Sequence, residues 1–305
     1  MPSRDPLTPG RSGHGGAPAV FPGVESGAHA LSRGELSEQD ARELQDLKAL
    51  IRERCGFSCD AYKERCLRRR LAVRMRARSV HRYADYAALL ERDAQELERF
   101  LAIVTINVSK FFRNAEVWES FRRQVVPALF AMDAPEVRIW SAGCAGGEEP
   151  YSVAISLLEH AREHRLEARM HRFRILATDI DRGILEVAQR AEYGPMALEE
   201  MPPGLKSRWF EGGPRYRLHA EVKRWVRFAP LDLLNDPLPR GQHLILCRNV
   251  SIYFEREFQE ALLERLREAL VPGGYLVLGK VETLFGSVAR SFEPIDNRER
   301  IFRKR

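Results

Sequence analysis

The chain has 305 residues, 44% of them hydrophobic, and a formal net charge of +6. That length suits one or two domains with a buried core, and the excess of Lys and Arg favours an acidic partner (nucleic acid, an anionic membrane or an acidic protein surface) unless it reflects only an arginine-rich genome. No apolar run approaches a membrane span; the five cysteines, an odd count with no histidine among Cys55, Cys59 and Cys66, fit neither a closed disulfide framework nor a zinc site and read as reduced thiols of a cytosolic protein.

Residues 1–34 are rich in Gly, Pro and Ser and lack an apolar core, so they read as a disordered tail rather than a signal peptide. Residues 35–108 carry helical periodicity. Ser37 and Asp40 suit the cap of a first helix through Leu44, Leu47 and Ile51, which breaks at Cys55–Phe57. A second helix is expected from about Asp60 to Arg78, a third from near Tyr83, and a fourth carrying Leu97, Phe100 and Leu101. On the second helix Arg65, Arg69 and Arg76 fall near one face, opposite Leu67, Leu71 and Met75. Such a face suits docking on an acidic helix, and the plainer reading is a solvated row of arginines.

The stretch TINVSKFFRNAEVW places Asn107, Ser109 and Arg113 among apolar neighbours. Spaced four apart, Ser109 and Arg113 share one face if the segment is helical. An arginine there suits a bidentate pair with a carboxylate; an incidental surface arginine is the alternative.

From about Glu136 strands and helices alternate, which predicts a parallel sheet with right-handed crossovers. Strands are expected at Val137–Ser141, Phe173–Thr178, Trp225–Phe228, His243–Cys247 and Tyr275–Leu278, with an antiparallel hairpin over Phe292–Phe302. VRIWSAGCAGGEEPY reads as a buried strand, a glycine loop and a helix start, the unit at which open α/β sheets bind nucleotide-like cofactors. The loop lacks the Lys-Ser/Thr of a P-loop and does not fit GxGxxG. Glu148 and Glu149 would repel a pyrophosphate and tolerate a cationic ligand such as S-adenosylmethionine; a bare glycine turn is the alternative.

Asp179, at the end of the second strand, suits a ribose diol, and Asp181 the cap of the next helix. Residues 193–224 interrupt the pattern with a Gly-Gly-Pro turn and short strands, as either a specificity element or a structural excursion. Asp232 with Leu233 and Leu234 suits either an adenine pocket or a capped turn. Asn249 and Val250 fall just past the next strand, with Tyr253 and Phe254 nearby.

Taken in order, TINVSKFFRN, SAGCAGGEEPYS, ATDID, LDLL, CRNVSIYF and PGGYLVLG resemble the chemoreceptor glutamate methyltransferases, the CheR family, from about Leu36 to the C-terminus. The resemblance implies a Rossmann-like class I methyltransferase domain over 109–305, an all-helical domain over 35–108 and an inserted β-subdomain over 193–224. It implies S-adenosylmethionine as cofactor, held by Asn107, Ser109, Arg113, Glu148, Asp179, Asp232, Leu233, Asn249 and Val250. The implied reaction methylates glutamate carboxylates of a chemoreceptor's cytoplasmic helical bundle, which Arg65, Arg69 and Arg76 would meet. Nucleic acid, membrane insertion and a metal are not expected. The sequence departs from the family at Ser109 (usually Thr), at Asp232 (frequently Asn), and at Lys280 and Val281, where GKVE stands for a motif usually like GHSE. Competing readings are an RNA or small-molecule methyltransferase, a non-catalytic module that keeps the fold, and a dehydrogenase, the last disfavoured by the missing GxGxxG.

Overall fold

The computed structural model describes residues 36–105 and 107–305; the expected disordered tail lies outside the described residues. Helix α1 (Glu38–Cys55) starts where Ser37 Oγ accepts the Asp40 N–H at 3.1 Å. It stops at Gly56, whose φ of 74° supplies the left-handed cap that a side chain would disfavour. Helix α2 (Glu64–Ala77) begins later than the spacing predicts. Residues Cys59–Ala61 form a 3₁₀ turn instead, and Tyr62 makes a β-bridge to Phe254. The backbone there is committed to a distant partner, so it cannot join the helix.

Helices α3 (Tyr83–Arg92) and α4 (Ala94–Val104) complete the bundle around Leu47, Leu67, Leu71, Met75, Tyr86 and Phe100. Inside it lies Glu96, fully buried. Its carboxylate accepts hydrogen bonds from Arg74 Nε at 2.8 Å, Arg74 Nη2 at 2.6 Å and the Tyr86 hydroxyl at 2.8 Å. Burial alone would raise this carboxyl's pKa, but the bonds from Arg74 and Tyr86 outweigh it and hold the group below the usual carboxylate range.

The second part is a seven-stranded sheet of order β6-β2-β1-β7-β8-β10-β9. Its strands are β1 (Val137–Ala142), β2 (Phe173–Asp179), β6 (Val226–Pro230), β7 (Gln242–Cys247), β8 (Leu270–Leu278), β9 (Phe292–Asp296) and β10 (Ile301–Lys304). The first five pair in parallel; β10 is antiparallel to β8 and to β9. Helices α5 (Ala115–Ser120) and α6 (Val126–Ala131), joined by a π segment over Phe121–Val125, precede the sheet. Helices α7 (Glu148–His164) and α8 (Arg182–Arg190) follow β1 and β2.

Side chains alternate along β1 as a strand requires. Val137 and Ile139 pack with Leu129 of α6 and Ile155 of α7. Trp140 and Ala142 face the other way, towards Leu262 and Leu266. Because β2 and β7 flank β1 on opposite sides, the chain reverses direction there and leaves a crevice at the carboxyl ends of the strands. Between α8 and β6, the short strands β3 (Glu192–Tyr193), β4 (Phe210–Glu211) and β5 (Tyr216–Leu218) form a separate antiparallel sheet of order β3-β5-β4.

Candidate active site

A cleft of about 230 Å³ opens at that crevice. Its glycine-loop wall comes from the chain after β1 and β2. The amides of Gly143 and Cys144 donate to the Thr178 carbonyl at 2.8 and 2.9 Å, folding the loop back over β2. Gly143 has φ of 77°, and a Cβ there would lie 2.4 Å from Val250 Cγ2, so only glycine lets the two walls meet. Asp179 lies at the end of β2 as expected. Its Oδ2 accepts the Ala145 N–H at 2.9 Å and its Oδ1 the Asp181 N–H at 3.1 Å. Burial pushes its carboxyl above the usual range. Asp181 caps α8 through Gly183 and Ile184, and its Oδ2 accepts from Asn107 Nδ2 at 2.6 Å.

Of the two glutamates that open α7, Glu149 lines the cleft and Glu148 does not. Glu149 Oε1 accepts the Ser141 hydroxyl at 2.8 Å, and Oε2 pairs with Arg248 Nη1 at 3.4 Å. Burial raises the pKa of Glu149 and lowers that of Arg248. Glu148 turns towards the backbone of Gly146, and its Oε2 is buried with no hydrogen-bond partner. Burial raises its carboxyl to about 7. Spacing alone gives no signal for which of two adjacent carboxylates faces the cleft.

The opposite wall starts with residues 107–114, which form a strap and not a helix. Phe112 and Asn114 take φ of 53° and 65°, the Phe111 N–H donates to the Ala197 carbonyl at 2.8 Å, and the Asn114 N–H donates to Glu200 at 2.7 Å. These bonds draw the strap onto the inserted segment and leave no helical ladder. Ser109 and Arg113 still both reach the cleft, by way of the strap's turn and not by a shared helical face. Arg248 Nη2 holds the strap's end through the Arg113 carbonyl at 2.9 Å and Asn114 Oδ1 at 3.2 Å.

Asp232 and Leu233 line the cleft beyond β6; Asp232 also accepts the Leu234 N–H at 2.8 Å, so it caps a turn and faces the cleft at once. Asn249 and Val250 line it beyond β7, with Tyr253 and Phe254. Phe57, Ser58, Tyr62 and Thr105 of the helical part close it. Nothing in their spacing signalled this. Lys280 lies outside the cleft, paired with Glu116 at 2.8 Å and Glu299 at 3.5 Å, and Val281 is 75% exposed. Arg65, Arg69 and Arg76 are all exposed on α2, and Leu67, Leu71 and Met75 are buried, as the periodicity predicts.

The donors and acceptors suit S-adenosylmethionine. Two buried carboxylates, Asp179 and Glu149, line a cleft with an apolar floor at Leu233, Val250 and Phe254, and the unpartnered Glu148 Oε2 beside the glycine loop is an acceptor in want of a donor. A reversing parallel sheet closed by an antiparallel hairpin, with an acid at the end of β2 and a glycine loop unsuited to phosphate, defines a class I methyltransferase.

The comparisons agree. Residues 107–301 match the CheR methyltransferase, SAM binding domain, and residues 42–105 the CheR methyltransferase, all-alpha domain. A chemotaxis protein methyltransferase of Listeria innocua is 32% identical over 249 residues, covering 81% of this chain and 92% of that protein. One of Klebsiella aerogenes is 33% identical over 278 residues, covering 88% and 92%. The chain belongs to the CheR methyltransferase family, and its cofactor is S-adenosylmethionine. Among the described residues no helix is long and apolar enough to cross a membrane.

Proposed function

We propose that this protein methylates glutamate side chains of methyl-accepting chemoreceptors in the cytoplasm, giving glutamate methyl esters and S-adenosylhomocysteine. One observation carries the reading: a cleft that gathers Asn107, Ser109, Arg113, Asp179, Asp232, Leu233, Asn249 and Val250 is closed by the chain leading directly into α2, whose exposed face carries Arg65, Arg69 and Arg76. A basic helix beside the cleft mouth suits an acidic helical bundle.

The cofactor supplies an electrophilic methyl group on a sulfonium. A glutamate acceptor with a pKa of about 4.3 is already ionised near neutral pH, so the protein needs no general base. Its task is alignment and exclusion of water, which supplies several kcal/mol. Asp179 accepts the ribose hydroxyls, and Asp232 and Leu233 hold the adenine. Arg113 orients a carboxylate at the cleft mouth, and Tyr253 lines the acceptor side.

The test is transfer of radiolabelled methyl from S-adenosylmethionine to purified receptor cytoplasmic fragments, followed by mild alkali. Base-labile, volatile label is the expected result. Cofactor binding with no label on any receptor fragment would remove the acceptor assignment.

A further inference from the structure

The turn Asn249–Ser251 presents two of the residues assigned to the cofactor, yet it is held from outside itself. Asn249 sits at φ of 61°, a left-handed conformation that a non-glycine residue adopts at a cost. What holds the turn is a carboxylate from the loop after β8. Glu282 Oε2 accepts the Asn249 N–H at 2.8 Å and the Gly279 N–H at 2.7 Å. Its Oε1 accepts the Val250 N–H at 3.1 Å, the Ser251 N–H at 2.9 Å and the Ser251 hydroxyl at 2.8 Å. Three successive backbone amides converging on one anion form a nest, and here the anion is a buried side chain of the protein itself.

We propose that Glu282 is a positioning residue of the cofactor site: its carboxylate fixes the Asn249–Ser251 turn, and through Val250 fixes the gap between the two walls of the cleft. This rests on the reading of Asn249 and Val250 as cofactor contacts. Val250 Cγ2 would lie 2.4 Å from a Cβ at Gly143, so the turn and the glycine loop are packed to the limit, and a displaced turn displaces the gap. Gly279 belongs to the same device. A Cβ there would meet Glu282 Oε2 at 2.6 Å and the Asn249 N at 2.9 Å, so any side chain pushes the carboxylate off the nest. Neither residue touches the cleft, which separates this role from direct binding.

Glu282→Gln keeps the shape and exchanges one acceptor oxygen for an amide donor. Whichever oxygen is replaced, at least two N–H groups then face a donor, and buried donors left unpaired are costly. Gly279→Ala attacks the same contact from the other side, by space alone. Val281→Ser, at the exposed neighbouring position, is the control.

The experiment titrates S-adenosylhomocysteine into the full chain by calorimetry and measures receptor methylation at saturating S-adenosylmethionine. Glu282→Gln and Gly279→Ala are each expected to weaken S-adenosylhomocysteine binding at least tenfold, with the receptor KM within twofold of the parent and Val281→Ser unchanged in both. Parent-like binding by either variant overturns the proposal. So does a parallel loss of cofactor and receptor binding with a broadened thermal transition, because that pattern marks general damage. If the parent chain itself does not bind S-adenosylhomocysteine, the cofactor reading of the cleft falls first, and the proposal with it.

Discussion

On the glycine-loop wall of the cleft, the side chains stand at the ends of β1 and β2, and their main bonds run between residues close in the sheet: Ala145 to Asp179, Asp181 to Asp179, Gly143 to Thr178. On the opposite wall, the strap and the Asn249–Phe254 turn take their shape from outside the β1–β2 pair. Arg248 reaches Arg113, Glu282 reaches Asn249, and the Lys63 Nζ reaches the Ile252 carbonyl at 2.8 Å. The first wall is set by the sheet's own geometry. The second is assembled from three parts of the chain, and each can be loosened without touching the sheet. The first wall should therefore answer mutation in cofactor affinity, and the helical edge of the second in turnover and acceptor binding.

Asp179→Ala should give the largest effect. It removes the proposed acceptor for the cofactor and two bonds that hold the wall itself, each worth roughly 1.5–3 kcal/mol for a charged partner. Calorimetry should show a loss of cofactor affinity on the order of a thousandfold; a loss under tenfold would mean that Asp179 shapes the loop without meeting the ligand.

Glu148→Gln tests the same wall through pH. The carboxyl is raised from 4.5 to about 7, so a proton is held more tightly in the folded chain than in the unfolded one. The stability this proton confers is complete below the unfolded value and is lost as pH rises through about 7. The difference is on the order of 3 kcal/mol. Urea unfolding without added cofactor should accordingly find the Gln variant more stable than the parent at pH 8 and nearly equal at pH 4.5. Equal stability of the two proteins at pH 8 would show that burial does not raise this carboxyl.

On the other wall, Lys63→Met cuts the bond to the Ile252 carbonyl but keeps the Lys63 N–H bond to the Tyr253 carbonyl at 2.8 Å. Initial rates at saturating cofactor should fall roughly tenfold, since small misplacements at a transfer site are costly. Cofactor affinity should stay within twofold. A matching loss of affinity would show that the two walls are not separable.

The smallest effect belongs to Arg69→Glu on the exposed face of α2. Receptor KM should rise about fivefold at low salt and approach the parent value near about 0.5 M salt, because exposed charges are screened. A salt-independent change, or none, would end the docking assignment.

The contrast between the walls also explains what could be read in the chain. The glycine loop, Asp179 and the cap at Asp181 follow from local patterns: β-branched residues, then glycines, then an acid at a strand end. Arg65, Arg69 and Arg76 follow from helical periodicity. The periodicity argument failed at Ser109 and Arg113, because the amides of Phe111 and Asn114 are taken by Ala197 and Glu200 more than eighty residues away in sequence. It failed again at the start of α2, where Tyr62 pairs with Phe254. Glu282, Arg248 and Tyr62 carry no local signature, since their roles exist only once distant segments meet. The departures at Lys280 and Val281 looked consequential in sequence, but these side chains point to Glu116 and to solvent. The glutamate next to them is the one that holds the Asn249–Ser251 turn from outside the cleft.

The short segment 58–63 also bears on how the family's two parts can be exchanged. Besides the Lys63 bonds, the Ala61 carbonyl accepts the Glu255 N–H at 2.8 Å, and the Tyr62 and Phe254 rings meet edge-on with centroids 5.1 Å apart. A chimaera joining the helical part of one relative to the sheet of another would carry a seam through the wall of its own cleft. Such hybrids should work only when residues 58–63 and 252–255 are transplanted together, as a matched pair, whatever the identity elsewhere.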